Sequence, residues 1–363
     1  MTGRAKAAVL VAPRQIEIDE FPLPPCGDDE GLLRIEATGV CGSDVAVFRG
    51  EFSVDLFPMP LVLGHEIVGR VERIGRHAAE RWGIREGDRI VIEEHIPCRR
   101  CALCLGGRQK MCIKRRYGSV STSTAPALWG GYADAVYLHP DSIVYPVSDS
   151  ISAELAPLFI PISNGLDWVE RVGDLRVGGS VLIHGPGAHG LGCVIGAREC
   201  GAATIIVAGL ARDRARLELA KTLGATHLIQ ADREDVRERV REITGGRLLD
   251  LVIDVTPGAG EPLAIAVDVG AVGGTIVVAG YKHGKAIPDF RSDPLFFKEL
   301  SIRGVWGRSS ESVPPALRLI ESRRYPLEQM CSQCFSVEET ARALEAAGGE
   351  HGESVLHVTV KPQ

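Results

Sequence analysis

Four cysteines that lie close together in the chain have the types and spacing of a metal site. The segment PCRRCALCLGGRQKMC contains Cys98, Cys101, Cys104 and Cys112. A tetrahedral zinc ion binds four thiolates at about 2.3 Å, and spacings this short let one loop wrap around the ion. Because the thiolates would fill every coordination position, the pattern predicts a structural zinc. An iron-sulfur cluster also takes four thiolates, and buried or redox-active cysteines without a metal are the third interpretation.

A second group of residues, upstream of those cysteines, offers the ligands of a catalytic metal. It consists of Cys41 in TGVCGSD and of His65 and Glu66 in LVLGHEIVG. A thiolate, an imidazole and a carboxylate suit a zinc ion that keeps one position open for water or substrate. Taken singly, each residue has an ordinary interpretation as a packed thiol, a core histidine or a solvated acid. The order of CGSD, GHE, cysteine segment and glycine-rich loop along one chain favours the metal.

Two polar residues next to Cys41 could assist the chemistry. Asp44 could accept the second N–H of His65 and fix its tautomer, as metal-bound histidines usually require. Ser43 could pass a proton from a zinc-bound alcohol. Either residue could instead cap a helix or a turn, and for Ser43 we favour the catalytic role.

A glycine-rich loop further along the chain has the pattern of a nucleotide-binding site. The segment HGPGAHGLG contains Gly185, Gly187 and Gly190 as GxGxxG, directly after the apolar run SVLI and before a stretch of helical periodicity. The first glycine permits the tight turn, the second lets a pyrophosphate approach the backbone, and the third lets helix and strand pack closely. We therefore predict that this loop, including Ala188 and His189, binds a dinucleotide.

The position that distinguishes NAD from NADP departs from the usual pattern. An acid at the end of the second strand usually holds the ribose hydroxyls of NAD, but Gly209 occupies that place and Asp213 follows in the next turn. Asp213 could reach the ribose, or it could cap the next helix. Arg212 or Arg214 could instead meet the 2′-phosphate of NADP. We predict NAD as the cofactor, with NADP as the alternative.

The segments around these motifs indicate two kinds of architecture. Up to about Val147, short β-branched runs broken by Gly, Pro and Asp predict a β-rich domain. From about Gly178, apolar runs alternate with helical periodicity, which predicts βαβ units and a parallel sheet. A helical stretch and a strand late in the sequence are predicted to return to the first domain. The predicted domains are 1–157, with a cysteine lobe at about 95–115, then 158–297, and 298–363 as the return.

Composition and charge exclude several classes of protein. Among 363 residues, 45% are hydrophobic and 24% charged, which is ordinary globular composition. Lysine and arginine total 41 against 47 acids, a net charge of −6, so no cationic field attracts nucleic acid or an anionic membrane. Because the sequence shows neither an apolar run of about 20 residues nor a signal-peptide core, it predicts a cytoplasmic protein. The segment RRCALCLGGRQKMCIKRR is locally positive, however. A zinc-ribbon protein that binds nucleic acid therefore remains an alternative that is not an enzyme.

The motifs from Gly39 to Gly280 resemble, in residue type and order, those of the zinc-dependent medium-chain dehydrogenases, the group of alcohol, sorbitol and threonine dehydrogenases. The resemblance implies an α/β fold, with a β-rich GroES-like catalytic domain and a Rossmann domain built on a doubly wound parallel sheet. It implies a catalytic zinc at Cys41 and His65 and a structural zinc at the four cysteines, hence two zinc ions per chain. It also implies that Asn164 touches the nicotinamide and that the protein is a homodimer or homotetramer.

The sequence departs from that family at three positions. Ile160 stands where many members have a further zinc ligand, so Glu66 and water are expected to complete the zinc shell, with Asp167 as a distant substitute. Ala46 stands where many relatives have a histidine that ends the proton relay. The proton is therefore expected to leave through the serine described above and the cofactor ribose. Asp134 replaces the usual glutamate of the family's GGxAEY strand.

Together these features predict a zinc-dependent oxidoreductase. It would transfer a hydride between NAD(P) and a small-molecule alcohol or ketone, a secondary alcohol or polyol of sugar or cyclitol type, with zinc as the Lewis acid. A related zinc-independent quinone or enoyl reductase is the alternative among enzymes, and it would not need Cys41 and His65.

Overall fold

The computed structural model describes residues 3–112, 115–350 and 355–362, so parts of the predicted cysteine lobe and of the predicted return lie outside the described residues. The strands, in chain order, are β1 Arg4–Ala12, β2 Gln15–Pro22, β3 Gly31–Gly39, β4 Leu61–Val62, β5 Glu66–Ile74, β6 Arg89–Ile92, β7 Ala135–Leu138, β8 Val144–Pro146, β9 Ser180–His184, β10 Thr204–Gly209, β11 His227–Gln230, β12 Leu249–Asp254, β13 Gly270–Val278, β14 Ser301–Gly304, β15 Cys331–Ser336 and β16 His357–Lys361. The α-helices are α1 Gly42–Phe48, α2 Arg76–Trp82, α3 Ala102–Leu105, α4 Phe159–Leu166, α5 Ala188–Glu199, α6 Arg214–Leu223, α7 Val236–Thr244, α8 Glu261–Val269, α9 Asp293–Phe297, α10 Val313–Ser322 and α11 Thr340–Ala347. Within the described ranges, no helix is both long enough and apolar enough to cross a membrane.

The chain forms two compact units. The first unit consists of Met1–Phe159 together with Leu317–Gln363, and the second of Ile160–Ala316. The sequence predicts an end of the second domain at residue 297, which is earlier than the end of the second unit. The difference arises because β14 pairs in parallel with β13 and so belongs to the sheet of the second unit.

The first unit contains the β-rich part of the chain. Its larger sheet has the order β15-β16-β3-β5-β6-β8, with β7 also paired to β3, and a small sheet has the order β2-β1-β4. At the end of β3, Gly39 lies opposite Glu66 of β5 on one side and opposite Thr359 of β16 on the other. A strand from late in the chain therefore lies directly beside the segment that leads into Cys41.

The second unit is built on a parallel sheet of order β11-β10-β9-β12-β13-β14. Each of these strand pairs is parallel. Read from β9, this is the strand order of a doubly wound dinucleotide-binding sheet. The apolar residues Val181, Leu182 and Ile183 of the first strand are fully buried, as a strand covered on both faces requires. The order confirms the predicted Rossmann fold.

Glycines allow α4 and α5 to pack with their backbones in close contact. A Cβ on Gly165 of α4 would lie 2.1 Å from the carbonyl oxygen of Gly192, and one on Gly192 would lie 2.1 Å from the carbonyl oxygen of Pro161. A third glycine, Gly196, would place its Cβ 2.7 Å from the carbonyl oxygen of Gly165. Because α5 begins inside the glycine-rich loop, this contact holds the loop against the end of β9.

Replacing Gly165 with alanine tests that contact. We expect Gly165→Ala to lower the free energy of unfolding by about 1–3 kcal/mol, because a methyl group must force the two helix backbones apart. Thermal unfolding measures the effect. Gly304→Ala is the matched control, since its Cβ meets nothing within 4 Å. Equal melting temperatures for the two variants would contradict the packing described here.

Candidate active site

The structure brings Cys41, His65 and Glu66 together from two short segments of the first unit. One ligand atom from each lies within 4.8 Å of the others. Cys41 is the N-cap of α1, His65 lies in the loop after β4, and Glu66 is the first residue of β5. The loop needs Gly64 just before His65, because its φ is +87° and a Cβ there would lie 2.8 Å from the ring of Tyr132. A thiolate, an imidazole and a carboxylate at this separation fit a zinc ion.

Asp44 serves both as a cap and as the partner of His65. Its Oδ2 accepts the backbone N–H of Cys41 at 3.1 Å and the hydroxyl of Tyr132 at 2.9 Å. Its Oδ1 lies 3.2 Å from Nδ1 of His65. The two roles weighed from the sequence therefore coexist, one on each carboxylate oxygen. With Nδ1 facing Asp44, Nε2 of His65 is the nitrogen left for a metal.

Electrostatics keep the neighbours of this site in defined protonation states. Burial lowers the pKa of His65, but the carboxylate of Asp44 and the thiol of Cys41 outweigh burial and raise it well above its usual value. Burial, followed by the charges of Asp44 and Glu66, raises the pKa of Tyr132 well above its usual value. Tyr132 thus stays a hydroxyl donor.

Two residues at this site were not identified from the sequence. Tyr132 belongs to the quoted GGxAEY-like strand, but its hydroxyl partner could not be read from it. His357 on β16 places Nε2 2.7 Å from Oε2 of Glu66, across 291 positions of sequence. No local spacing signals such a contact.

The remaining predicted residues around the metal lie as follows. Ser43 is half-buried in the first turn of α1, and Ala46 is buried in the same helix. Ile160 is buried at the beginning of the second unit. Asp167, also in the second unit, is buried and accepts a hydrogen bond from the hydroxyl of Ser312 at 3.1 Å.

The four cysteines of the predicted lobe also converge. Their sulfur atoms lie within 4.8 Å of one another, and those of Cys98 and Cys104 are 4.0 Å apart. A zinc tetrahedron with bonds of about 2.3 Å has an edge of about 3.8 Å, so one ion fits. An iron-sulfur cluster would place several atoms between its thiolates and hold them further apart. The backbone N–H groups of Arg100 and Cys101 lower the pKa of Cys98 to about 6, whereas burial raises the pKa of Cys104 to about 12.

The glycine-rich loop lies at the end of β9 in the second unit. Gly185 has a φ of +100°, and a Cβ on Gly190 would lie 1.9 Å from the carbonyl oxygen of Gly185. At Gly187, the N-cap of α5, a Cβ would meet nothing within 4 Å. The backbone is therefore closely packed at Gly185 and Gly190, where the turn is made and the helix meets the strand. It is open at Gly187, where a pyrophosphate would approach. Ala188 begins the helix after this opening.

Two side chains predicted to face the cofactor belong to elements next to that loop. His189 follows in the first turn of α5 and stacks on Trp168, with ring centroids 5.4 Å apart and planes at 14°. Asn164 of α4 is buried, and among the residues that the structure describes its Oδ1 has no hydrogen-bond partner. A ligand donor is what such a buried carbonyl oxygen requires.

The turn after β10 shows why Gly209 stands where a dinucleotide-binding domain usually has an acid. A Cβ on Gly209 would lie 2.8 Å from the ring of Pro186, so the loop itself excludes a larger residue there. Asp213 accepts the N–H of Leu210 through Oδ2 at 3.0 Å, and its Oδ1 lies 3.6 Å from Arg216. Capping therefore uses one oxygen of Asp213.

Comparison with known proteins covers both units. The profile of the alcohol dehydrogenase GroES-like domain matches residues 27–149, and that of zinc-binding dehydrogenases matches residues 188–322. A Mycobacterium tuberculosis protein named "Probable alcohol dehydrogenase adh" is 37% identical, over 98% of each chain. Sorbitol dehydrogenase of Bacillus subtilis is 31% identical, over 94% of this chain and 93% of its own. A solved structure described as a zinc-binding dehydrogenase from Sinorhizobium meliloti, bound to NADP, has a TM-score of 0.86 at 26% identity, covering 99% of this chain and 100% of that chain.

Replacing Tyr132 with phenylalanine tests the role of its hydroxyl. We expect Tyr132→Phe to lower the free energy of unfolding by about 1.5–3 kcal/mol, because the buried Asp44 carboxylate loses a donor. The matched control is Tyr137→Phe, which removes a hydroxyl that donates at 2.6 Å to the carboxylate of Glu30, a half-exposed group that water can solvate instead. That change should cost about 1 kcal/mol. Denaturant unfolding measures both, and a larger loss in the control would contradict the assignment.

Proposed function

Because the chain belongs to the family of zinc-binding, GroES-like alcohol dehydrogenases, we propose that it oxidises a secondary alcohol or polyol with NAD(P) and catalyses the reverse reduction. The observation that carries the proposal is the convergence of Cys41, His65 and Glu66 within 4.8 Å, with Asp44 directed at His65. When bound, zinc supplies a Lewis acid for the alcohol oxygen, and the nicotinamide accepts the hydride.

The residues of this chain hold and orient that chemistry. Asp44 keeps Nδ1 of His65 protonated, so that Nε2 can serve as a ligand. Ser43, in the first turn of α1, relays the proton of the substrate hydroxyl in our proposal, because its oxygen can accept that proton while its own O–H proton passes on. With Ala46 in place of a relay histidine, the proton then passes to water. A zinc-independent reductase would have no use for the three converging ligands, which weighs against that alternative.

We further propose two zinc ions per chain. The second lies among the four lobe cysteines, whose sulfur separations suit one tetrahedral ion. Arginines flank the cysteines in this lobe, but the chain as a whole is acidic, with a net charge of −6. The lobe is therefore assigned to structure rather than to nucleic-acid binding.

The substrate class is supported by the relatives. Curated relatives at about this level of similarity include a sorbitol dehydrogenase and an erythritol/L-threitol dehydrogenase, 31% and 30% identical. An L-threonine 3-dehydrogenase is 29% identical. Each of these substrates carries a secondary hydroxyl next to another polar group. We therefore propose a polyol or sugar-like alcohol as the substrate of this enzyme.

The position of Asp213 favours NAD as the cofactor. The cap uses Oδ2, so Oδ1, which lies 3.6 Å from Arg216, is the oxygen that would accept a ribose hydroxyl. NADP is the second candidate, because Gly209 carries no charge and Arg212 and Arg214 are exposed in the same turn and helix start. The NADP found in the Sinorhizobium meliloti structure agrees with this candidate.

A homodimer or homotetramer is proposed from the edge of the second unit's sheet. β14 is the last strand of that sheet, and near it in sequence Phe296 and Phe297 are 79% and 76% exposed. On the neighbouring strand, Val272 is 78% exposed. An open strand edge with exposed apolar side chains nearby suits contact with a second copy.

Paired cysteine substitutions test the assignment of the two metal sites. Cys41→Ser should reduce turnover by at least about 10²-fold while the fold persists, because an open site supplies chemistry. Cys104→Ser should lower stability beyond the usual range of about 0.5–3 kcal/mol for one substitution, because a closed site supplies architecture. Zinc content, melting temperature and cofactor reduction over a panel of polyols measure these effects. Cys334→Ser, at an exposed cysteine, is the control, and normal zinc content and stability in Cys104→Ser would overturn the structural assignment.

Two carboxylates that accept backbone N–H groups of the turn after β10 test the cofactor proposal. Asp232 accepts the N–H of Ala211 at 2.7 Å, so it is a matched capping acid. We expect native kcat/KM to favour NAD, and Asp213→Ala to lower the NAD-to-NADP ratio by about tenfold through loss of a charged hydrogen bond. Asp232→Ala should leave the ratio unchanged. A native preference for NADP would overturn the choice of NAD, and an NAD-to-NADP ratio unchanged in Asp213→Ala would assign Asp213 to capping alone.

A further inference from the structure

Glu66 is held by a side chain that belongs to neither metal-ligand segment. Its Oε2 lies 2.7 Å from Nε2 of His357, and these two residues are 1% and 2% exposed. His357 begins β16, which pairs with β3, while β3 pairs on its other side with β5. The contact therefore spans β3, the strand between the two partners.

The backbone of β3 leaves a gap for this contact. Gly39 lies opposite both Glu66 and Thr359, and a Cβ on it would lie 2.1 Å from Oε2 of Glu66 and 2.7 Å from Nε2 of His357. Any side chain at this position would separate the pair. The glycine is thus required by the contact across the strand rather than by a turn.

We propose that His357 is a positioning residue of the open metal site. An inward-facing carboxylate in a dry interior needs a donor, and Nε2–H of His357 supplies it at Oε2. The other oxygen of Glu66 would then be the one available to an ion held with Cys41 and His65. This inference rests on the proposed function.

The tautomer of His357 follows from its surroundings. Among the described residues, Nδ1 of His357 is buried and has no hydrogen-bond partner. The proton of a neutral ring is therefore best placed on Nε2, where Glu66 accepts it. Hydrogen-bonding partners of metal ligands typically change metal affinity or activity by about 10–100-fold when they are removed.

The test measures metal retention rather than turnover alone. Zinc-loaded native protein and its variants are mixed with a colorimetric chelator, and release is followed in time. Release from the cysteine lobe serves as the internal reference. We expect His357→Leu to speed release of the open-site ion by about 10–100-fold and to leave the lobe phase unchanged. We also expect the visible spectrum of the cobalt-substituted open site to shift, because the ligand geometry of Glu66 changes.

Two further variants separate positioning from folding. His357→Gln keeps an N–H that can reach Glu66, so release should stay within about threefold of the native rate, well short of the range for a lost partner. Gly39→Ala keeps both side chains but forces them apart, so it should behave like His357→Leu and carries the test if that variant does not fold. The matched controls are Val358→Ala, a buried neighbour on β16, and Gly42→Ala, where a Cβ meets nothing within 4 Å. Both controls should release zinc at the native rate.

The outcomes distinguish this inference from the proposed function. Native release and an unchanged cobalt spectrum in His357→Leu, or equal release in His357→Leu and Val358→Ala, would overturn the role of His357. A native protein that holds only the lobe ion, with zinc content unaffected by Cys41→Ser, would overturn the proposed function itself.

Discussion

The end of β3 determines the position of all three ligands of the open site. Cys41 follows this strand after one residue, Val40, whose N–H donates to the carbonyl oxygen of Val358 at 2.9 Å. On the opposite side, Glu66 pairs with Gly39, and His65 directly precedes it. Main-chain pairing therefore places thiolate, imidazole and carboxylate before any side chain contributes. Contacts with neighbouring side chains then orient these three ligands.

Burial of charge explains why so many polar partners surround the site. An isolated buried carboxylate is strongly destabilising unless donors compensate it. Asp44 has three such partners, the backbone of Cys41, the hydroxyl of Tyr132 and the ring of His65. One carboxylate thereby joins the start of a helix, a metal ligand and a core tyrosine. These contacts orient Cys41 and His65 within the positions that main-chain pairing gives them.

Prediction from sequence succeeds where the determinants are local. The lobe cysteines follow one another within one segment, and the glycine loop lies between its strand and its helix, so spacing alone identifies them. His357 could not be found this way, because strand pairing rather than sequence distance brings it to Glu66. The predicted end of the second domain at residue 297 precedes β14 for a similar reason, since only strand pairing shows that this strand belongs to the parallel sheet. Asp213 illustrates a third limit of prediction from sequence. An acid at this position suits both a helix cap and a ribose contact, so the sequence does not distinguish the two roles.

The long sequence separation between Glu66 and His357 has a consequence for biosynthesis. The second unit is one continuous segment, Ile160–Ala316, and can fold while the ribosome is still translating the chain. The end of β3, at Thr38 and Gly39, lacks its pairing with β16 until that strand has left the exit tunnel. During that interval Glu66 has no donor from His357, and an edge that later lies inside a sheet is exposed to other nascent chains. An ion bound at the open site before that point would lack the support that His357 gives to Glu66.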